Sequence, residues 1–132
     1  MSGSAIAPAP GEREWLADVL TRQIPLGGAM KLAITRVDEG GIELRAPLAP
    51  NVNDKGTAFG GALVSLMILA GWSLPRLLLR RESLLAELVI GRCDVCFTAP
   101  VPGDFVAVCA WPDAGAVAAF VESVRAGDRG RL

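Results

Sequence analysis

Residues 51–61 concentrate the residue types of this chain that can hold a negative charge. They carry side-chain amides, a hydroxyl, an ammonium group and three glycines, and they lead into an uncharged run at 62–74. A buried helix is therefore expected to begin where these polar groups gather. A helix start offers unpaired backbone N–H groups and a positive dipole end, and glycines let a ligand approach the backbone. This segment, called here the glycine-led loop, predicts a site for an anion or a developing oxyanion.

Four donors in this loop are the candidate catalytic groups: the Asn53 amide, the Thr57 hydroxyl and the backbone N–H groups of Gly60 and Gly61. Preorganised donors stabilise a developing oxyanion, and losing one typically costs on the order of 100- to 1000-fold in rate. Each also has a structural interpretation. Asn53 could bond its own backbone, Thr57 could cap the helix, and the glycines could let the helix lie close to a sheet.

Three further loop residues, Asn51, Lys55 and Phe59, are candidate substrate-binding residues. Asn51 has the same two interpretations as Asn53, with the structural one favoured. Lys55 could attract an anionic group or could simply be a solvated lysine. Asp54 is the only carboxylate nearby; it is a candidate general base, with a turn residue as the alternative.

The composition narrows the function classes. At 132 residues, one domain is expected. The chain is 52% hydrophobic, with a mean hydropathy of +0.42. It can therefore bury a hydrophobic core and still expose apolar surface. That exposed surface favours a homodimer or homotetramer. The net charge is −1, and no basic stripe is interleaved with aromatic residues, so nucleic-acid binding is not expected.

The chain has no histidine, which removes the commonest general base and the commonest zinc ligand. We therefore expect neither a metal nor a cofactor. Three cysteines cannot all pair internally, so a cytoplasmic location is expected. Residues 1–11 lack a basic region followed by an apolar stretch, which predicts a flexible tail and no signal peptide.

Periodicity predicts the elements of the first third of the chain. Apolar residues recur with a helical period over 12–24, up to Pro25, and with a period of two over 31–37 and 42–48. We expect a short amphipathic helix, a loose glycine-containing stretch, and then a β-hairpin with its turn at 38–41.

The uncharged run at 58–75 is long enough to be considered as a membrane span. Its glycines and serines, and the strands expected on both sides, favour a buried central helix and no membrane insertion. Pro75 suits the first turn of a second, shorter helix.

The remaining elements are two strands and a helix. Alternation predicts strands at 88–98 and 105–111, and Asp113 and Gly127 are suitable to cap and close a final helix. Cys93 and Cys96 form a C-x-x-C pair, but residues three apart on a strand point to opposite faces. A shared zinc or redox site is therefore disfavoured, and core packing is expected for both.

This order of elements resembles the hotdog fold of acyl-thioester enzymes. The match is carried by APLAP at 46–50, NVNDKGTAFGG at 51–61, LAGW at 69–72 and APVPGDF at 99–105. These segments look like the putative thioesterase domain that occurs alone in some bacteria and behind a GNAT acetyltransferase in others. The resemblance covers residue 16 to the end. It implies one α+β domain at 12–132, an antiparallel sheet wrapped around a central apolar helix.

Members of that family have been assigned malonyl-acyl-carrier-protein decarboxylase activity. The resemblance thus implies acyl thioesters of acyl carrier protein or coenzyme A as substrates. Better-known hotdog thioesterases carry His-Gly-Gly where this chain has Phe59, Gly60 and Gly61. They place a catalytic Asp or Glu further along the helix, near the position of Ile68 in this chain, where 62–74 is uncharged. Decarboxylation needs no base and is favoured over hydrolysis. A non-catalytic binding module or an inactive fragment is the alternative.

The resemblance has two further implications. The family continues past the last helix into more strands, so we expect the sheet to lack its last strands. Arg76, Arg80 and Arg81 share one helical face. They could bind an acidic carrier protein or the phosphates of coenzyme A, or they could form a solvated flank.

Overall fold

The structure, a computed structural model, describes residues 5–132. Its helices and strands follow in the order α1 Glu12–Asp18, a π-helical turn Val19–Gln23, α2 Pro25–Met30, β1 Ala33–Asp38, β2 Gly41–Ala46, a 3-10 turn Ala49–Asn51, α3 Gly60–Arg81, β3 Phe105–Ala110 and α4 Ala114–Arg125.

The three strands form one antiparallel sheet in the order β1-β2-β3. The predicted hairpin is present, and its turn ends at Gly41, whose φ is 144°. A side chain there would collide with the Cys109 carbonyl on β3, so the turn requires glycine. Hydrogen bonding from the Gly40 N–H, aided by Arg36, lowers the pKa of the Asp38 carboxyl in this turn.

Alternate residues of the strands form the inner face of the sheet, and α3 packs against it. The buried positions there are Ile34, Ile42, Leu44, Ala46, Phe105 and Ala107. The core beneath them includes Leu66, Leu69 and Leu74 of α3. This antiparallel sheet around a long apolar helix confirms the α+β hotdog fold, with only three strands among residues 5–132.

By length and composition, α3 is the one helix in the described part of the chain that could cross a membrane. A core helix meets the same test, and half of its apolar window is buried inside the fold.

Pro75 does not begin a second helix, contrary to the prediction, because α3 runs unbroken through it. A proline inside a helix costs about 3 kcal/mol. The residues that follow it, Leu77, Leu78 and Leu79, are at most 1% exposed. Burying such side chains stabilises by about 1.5–3 kcal/mol each, which outweighs the cost of the proline.

The stretch after Pro25 also differs from the prediction, since it is helical and not loose. Pro25 occupies the first turn of α2, and Met30 at its end is 3% exposed. Gly27 lies so close to the Leu20 carbonyl that a side chain would not fit. Burial and close packing therefore outweigh the low helix propensity of its two glycines.

The predicted strand at 88–98 is wrong: this stretch has no regular secondary structure and no strand partner among residues 5–132. Val89 and Phe97 are 85% and 59% exposed. Alternation gives strand propensity, but a strand also needs a neighbour to accept its backbone hydrogen bonds. Cys93 and Cys96 are free and exposed, so the expectation of core packing is wrong as well.

The final helix agrees with the prediction. The Asp113 side chain accepts a hydrogen bond from Ala116 N at 2.9 Å, and Gly127, with φ of 80°, ends the helix. Its apolar side, which includes Phe120 and Val121, packs on Leu78 and Leu79 of α3 in a second core cluster.

A buried ion pair joins the ends of α1 and α3. Arg81 donates to both Glu12 oxygens at 2.8 and 2.7 Å, and the two side chains are 6% and 2% exposed. The guanidinium also donates to Ala5 O at 2.9 Å and stacks 5.2 Å from the Trp111 ring centroid. Residues 1–4 of the predicted tail lie outside the described residues, whereas Ala5 and Ile6 pack on the second cluster.

We expect Arg81→Met to lower the free energy of unfolding by about 3–5 kcal/mol, because it leaves the Glu12 carboxylate buried without its cation. Urea denaturation measures the change. Adding Glu12→Gln should restore most of the loss. Arg92→Met, at a side chain 85% exposed, is the control and should change stability by under about 0.5 kcal/mol. Equal effects of Arg81→Met and Arg92→Met would contradict this packing.

Partial burial raises the pKa of the Cys109 thiol, which reduces its thiolate fraction at neutral pH. We expect iodoacetamide to label Cys109 more slowly than the exposed Cys93 and Cys96 at pH 8, as followed by mass spectrometry of the native protein. The Cys109 rate should rise further as the pH increases. In urea the three rates should converge, and equal rates in the native protein would argue against this placement.

Candidate active site

The glycine-led loop is closed by Asn53 and Thr57. Asn53 Oδ1 accepts from Lys55 N at 2.8 Å and Thr57 N at 3.1 Å, while Nδ2 donates to Thr57 Oγ1 at 2.8 Å. Asn53 N also donates to Thr57 O at 2.8 Å, and Gly56 takes a φ of 80° between them. Asn53 therefore holds the loop, which was one of its two interpretations, and its catalytic role stays a prediction.

Thr57 does not cap α3. The residue at the N-cap is Phe59, and no side chain caps the helix. The Thr57 hydroxyl accepts from Asn53, and a hydroxyl that accepts can still donate its own proton. Thr57 is half-buried, and its hydroxyl hydrogen remains able to donate in the loop.

The first turn of α3 has two unpaired donors. The N–H groups of Ala62 and Leu63 bond to Phe59 O at 2.9 and 3.1 Å. Those of Gly60 and Gly61 have no hydrogen-bond partner within the part of the chain that the structure describes. The site thus has the uncapped positive helix end that the sequence predicted.

A cavity of about 310 Å³ lies at this helix start and is lined by Gly61, Phe59 and Asn51. Met30 and Ser65 form further parts of its wall. Asn51 is 5% exposed. Its Nδ2 donates to Met30 O at 2.9 Å and Pro47 O at 2.8 Å. Both amide hydrogens are thus used, so Asn51 supports the cavity wall.

A second cavity of about 170 Å³ lies on another side of the same helix start. It is mainly apolar and includes Leu63, Met67, Phe97 and Val101. Phe97 also packs near the helix start, since a Cβ at Gly60 would stand 3.5 Å from its ring. Gly61 therefore lines the larger cavity, and Gly60 lies next to the Phe97 ring that lines the smaller one.

Phe59 occupies the space beside Gly61 with its ring. Its ring, on a residue 58% exposed, lies over the Gly61 backbone, where any Cβ would collide with it. The Phe59 ring and Gly61 thus line the larger cavity together.

The charged loop residues stand apart from both cavities. Lys55 and Asp54 pair with each other at 3.3 Å, with side chains 79% and 83% exposed. Neither lines a cavity wall.

Arg76 and Arg80 lie near the far end of α3, with their guanidinium carbons 4.8 and 5.1 Å from the Trp15 ring centroid.

Sequence reasoning did not identify Ser65, Met30 and Phe97 as site residues. Ser65 Oγ donates to Gly61 O at 2.8 Å, one turn along α3, so helical periodicity could have indicated it. Met30 and Phe97 arrive from distant segments, and no local pattern marks them. Among residues 5–132, no group of His, Cys, Asp or Glu side chains could hold a metal ion.

Comparison with known proteins places this geometry in a family. The family model described as putative thioesterase (yiiD_Cterm) matches residues 13–132. None of the curated proteins matches the chain.

Three solved structures are similar. A protein of unknown function from Chlorobaculum tepidum is 30% identical with a TM-score of 0.85, over 92% of this chain and 74% of that one. A putative thioesterase from Shewanella oneidensis is 28% identical with a TM-score of 0.72, over 76% and 71% of the two chains. A Pseudomonas aeruginosa protein of unknown function shares the fold at 21% identity, with a TM-score of 0.70 over 92% and 78%.

The match over residues 13–132 and the shared hotdog fold together show that this chain belongs to the putative thioesterase family.

Proposed function

We propose that this protein decarboxylates a malonyl thioester and that the start of α3 stabilises the enolate that forms. The observation that carries this proposal is the pair of N–H groups at Gly60 and Gly61, which have no partner among residues 5–132 and lie at a helix start beside two cavities. The family supports a thioester substrate in general, and the geometry supports this particular reaction.

In this reaction the bond between the malonyl carboxylate carbon and the α-carbon breaks. Its electron pair moves into the enolate, the negative charge accumulates on the thioester oxygen, and CO₂ leaves. A proton from water then completes the acetyl product. The Gly60 and Gly61 N–H groups donate to the enolate oxygen. The Thr57 hydroxyl and the Asn53 amide line neither cavity and are further donors from the adjoining loop.

The smaller, apolar cavity suits the departing carboxylate. The side chains of Leu63, Met67 and Phe97 offer no hydrogen bond to a carboxylate, whereas neutral CO₂ does not need one. A cation bound tightly to that carboxylate would oppose its loss. Lys55, paired with Asp54 outside both cavities, fits a steering role at the surface.

Thioester hydrolysis is the second candidate, because the family description names a thioesterase. It needs a base to accept a proton from water. Neither cavity is lined by an Asp, Glu or His side chain. Asp54 is the nearest carboxylate in sequence, and its side chain is 83% exposed. The geometry therefore favours decarboxylation, and a binding module without catalysis is the remaining alternative.

The proposal extends to assembly and location. Exposed apolar side chains on the outer face of β3, Val106 at 48% and Val108 at 59%, support a homodimer or homotetramer. Cys93 and Cys96 are exposed free thiols, which supports a reducing cytoplasm.

We expect the purified protein to release CO₂ from malonyl-coenzyme A or malonyl-carrier protein, and Asn53→Ala to reduce kcat on the order of 100- to 1000-fold, because it removes a donor and releases Thr57. Gas release and mass spectrometry of the products measure this, and a thermal melt checks folding.

Asp54→Asn separates the two reactions: it should leave CO₂ release unchanged, whereas hydrolysis with Asp54 as base would be lost. Free thiol without CO₂ would reject decarboxylation.

We expect Gly61→Ala to reduce turnover by at least about tenfold, because its methyl group displaces the Phe59 ring and narrows access to the donors. Gly71→Ala is the matched control on the same helix, since nothing lies within 4 Å of its added Cβ. It should keep activity and stabilise the helix by up to about 1 kcal/mol. Steady-state kinetics and melting temperatures test both, and equal turnover in the two variants would contradict the role of this backbone.

A further inference from the structure

The side chains of Trp15, Arg76 and Arg80 form a compact cationic cluster. Both guanidinium carbons lie about 5 Å from the centroid of the same indole ring. Neither arginine has a carboxylate within 4.0 Å among the described residues, whereas Arg81, the next residue on α3, is fully paired with Glu12. Like charges four residues apart on a helix repel each other. Trp15 thus holds together two cations that lack an anionic partner.

The cluster and the larger cavity lie on the same face of α3. Ser65 lines the cavity, and Arg76 follows it by 11 positions, which is close to three whole turns at about 3.6 residues per turn. The helices before the hairpin cover this face at both ends, since Trp15 of α1 contacts the arginines and Met30 of α2 lines the cavity. The stretch of this α3 face from the cavity to the arginines, bordered by α1 at one end and α2 at the other, is called here the seam.

An extended carrier arm and an arginine side chain together span this seam. From Gly61 to Arg76, α3 rises about 22 Å at about 1.5 Å per residue. A phosphopantetheine arm has about 13 bonds from phosphorus to sulfur, which spans on the order of 15 Å at the reach of an extended chain. Helical side chains lean towards the helix N-terminus, so the Arg76 side chain shortens the remaining gap.

We propose that Trp15, Arg76 and Arg80 form a phosphate-binding site for the pantetheine arm that carries the thioester. Arginine is well suited to this task, because its planar donors pair with phosphate oxygens in a fixed geometry, and stacking on Trp15 orders them beforehand. The thioester then lies at Gly60 and Gly61, and the arm follows the seam to the arginines. This inference rests on the proposed function only for the identity of the reacting group.

The test compares pantetheine, 4′-phosphopantetheine and coenzyme A in calorimetric titrations. The native protein should bind 4′-phosphopantetheine at least about tenfold more tightly than pantetheine, as a charge-assisted hydrogen bond contributes. Arg76→Gln/Arg80→Gln should remove this difference and leave pantetheine binding unchanged. The control Arg22→Gln/Arg92→Gln removes two charges from side chains that are 83% and 85% exposed. It should retain the tighter binding of 4′-phosphopantetheine relative to pantetheine. Equal affinity of the native protein for the two compounds, or no binding of any of the three, would overturn the proposal.

The same arm occurs in coenzyme A and on carrier protein. A second titration, with each of these two ligands in turn, shows which of them the site binds. Loss of affinity for only one of them in Arg76→Gln/Arg80→Gln identifies that one as the physiological source. Loss for neither overturns the site.

Turnover on the same variants distinguishes the two proposals. With a malonyl thioester, the double variant should raise KM and leave kcat unchanged. If the native protein releases neither CO₂ nor thiol while its affinity still depends on the arginines and the phosphate, the catalytic proposal fails and the phosphate site stands.

Discussion

The structure depends on one long apolar helix whose first turn is left open. Burial of α3 against the sheet fixes the helix axis, and the Asn53–Thr57 bonds fix the loop that delivers the chain to it. Phe59 takes the N-cap position without a side-chain cap. The two N–H groups behind it then remain available while the rest of the turn is satisfied. A rigid core therefore holds donors that no group among residues 5–132 uses, as oxyanion stabilisation requires.

The three arginines near the end of α3 show how burial assigns roles to identical side chains. Arg81 is enclosed with Glu12, where removing either partner leaves an uncompensated charge, so its role is structural. Arg76 and Arg80 stack on Trp15 near the surface and remain without an acid among the described residues. Their stacking leaves outward donors that can bind an anion.

The local elements followed the sequence where propensity and burial agreed. The hairpin, the apolar middle of α3, strand 105–110 and the Asp113 cap all have periodic patterns or turn residues whose local preference matches their final environment. The predictions failed where a distant partner decided the outcome. Pro75 stays inside a helix because the leucines after it are buried. Residues 88–98 form no strand because no segment in the described part of the chain pairs with them.

The sequence alone determined that polar donors and glycines stand at the start of an apolar helix, because their order along the chain is local information. It also determined the absence of histidine, and with it the kind of chemistry open to this loop. Only the tertiary structure decided which donors at the start of α3 remain unpaired. It also decided that Asn51 supports the wall of the larger cavity and that Phe97 and Met30 lie beside this helix start. These outcomes depend on contacts between segments far apart in the chain, and periodicity carries no information about which segments meet.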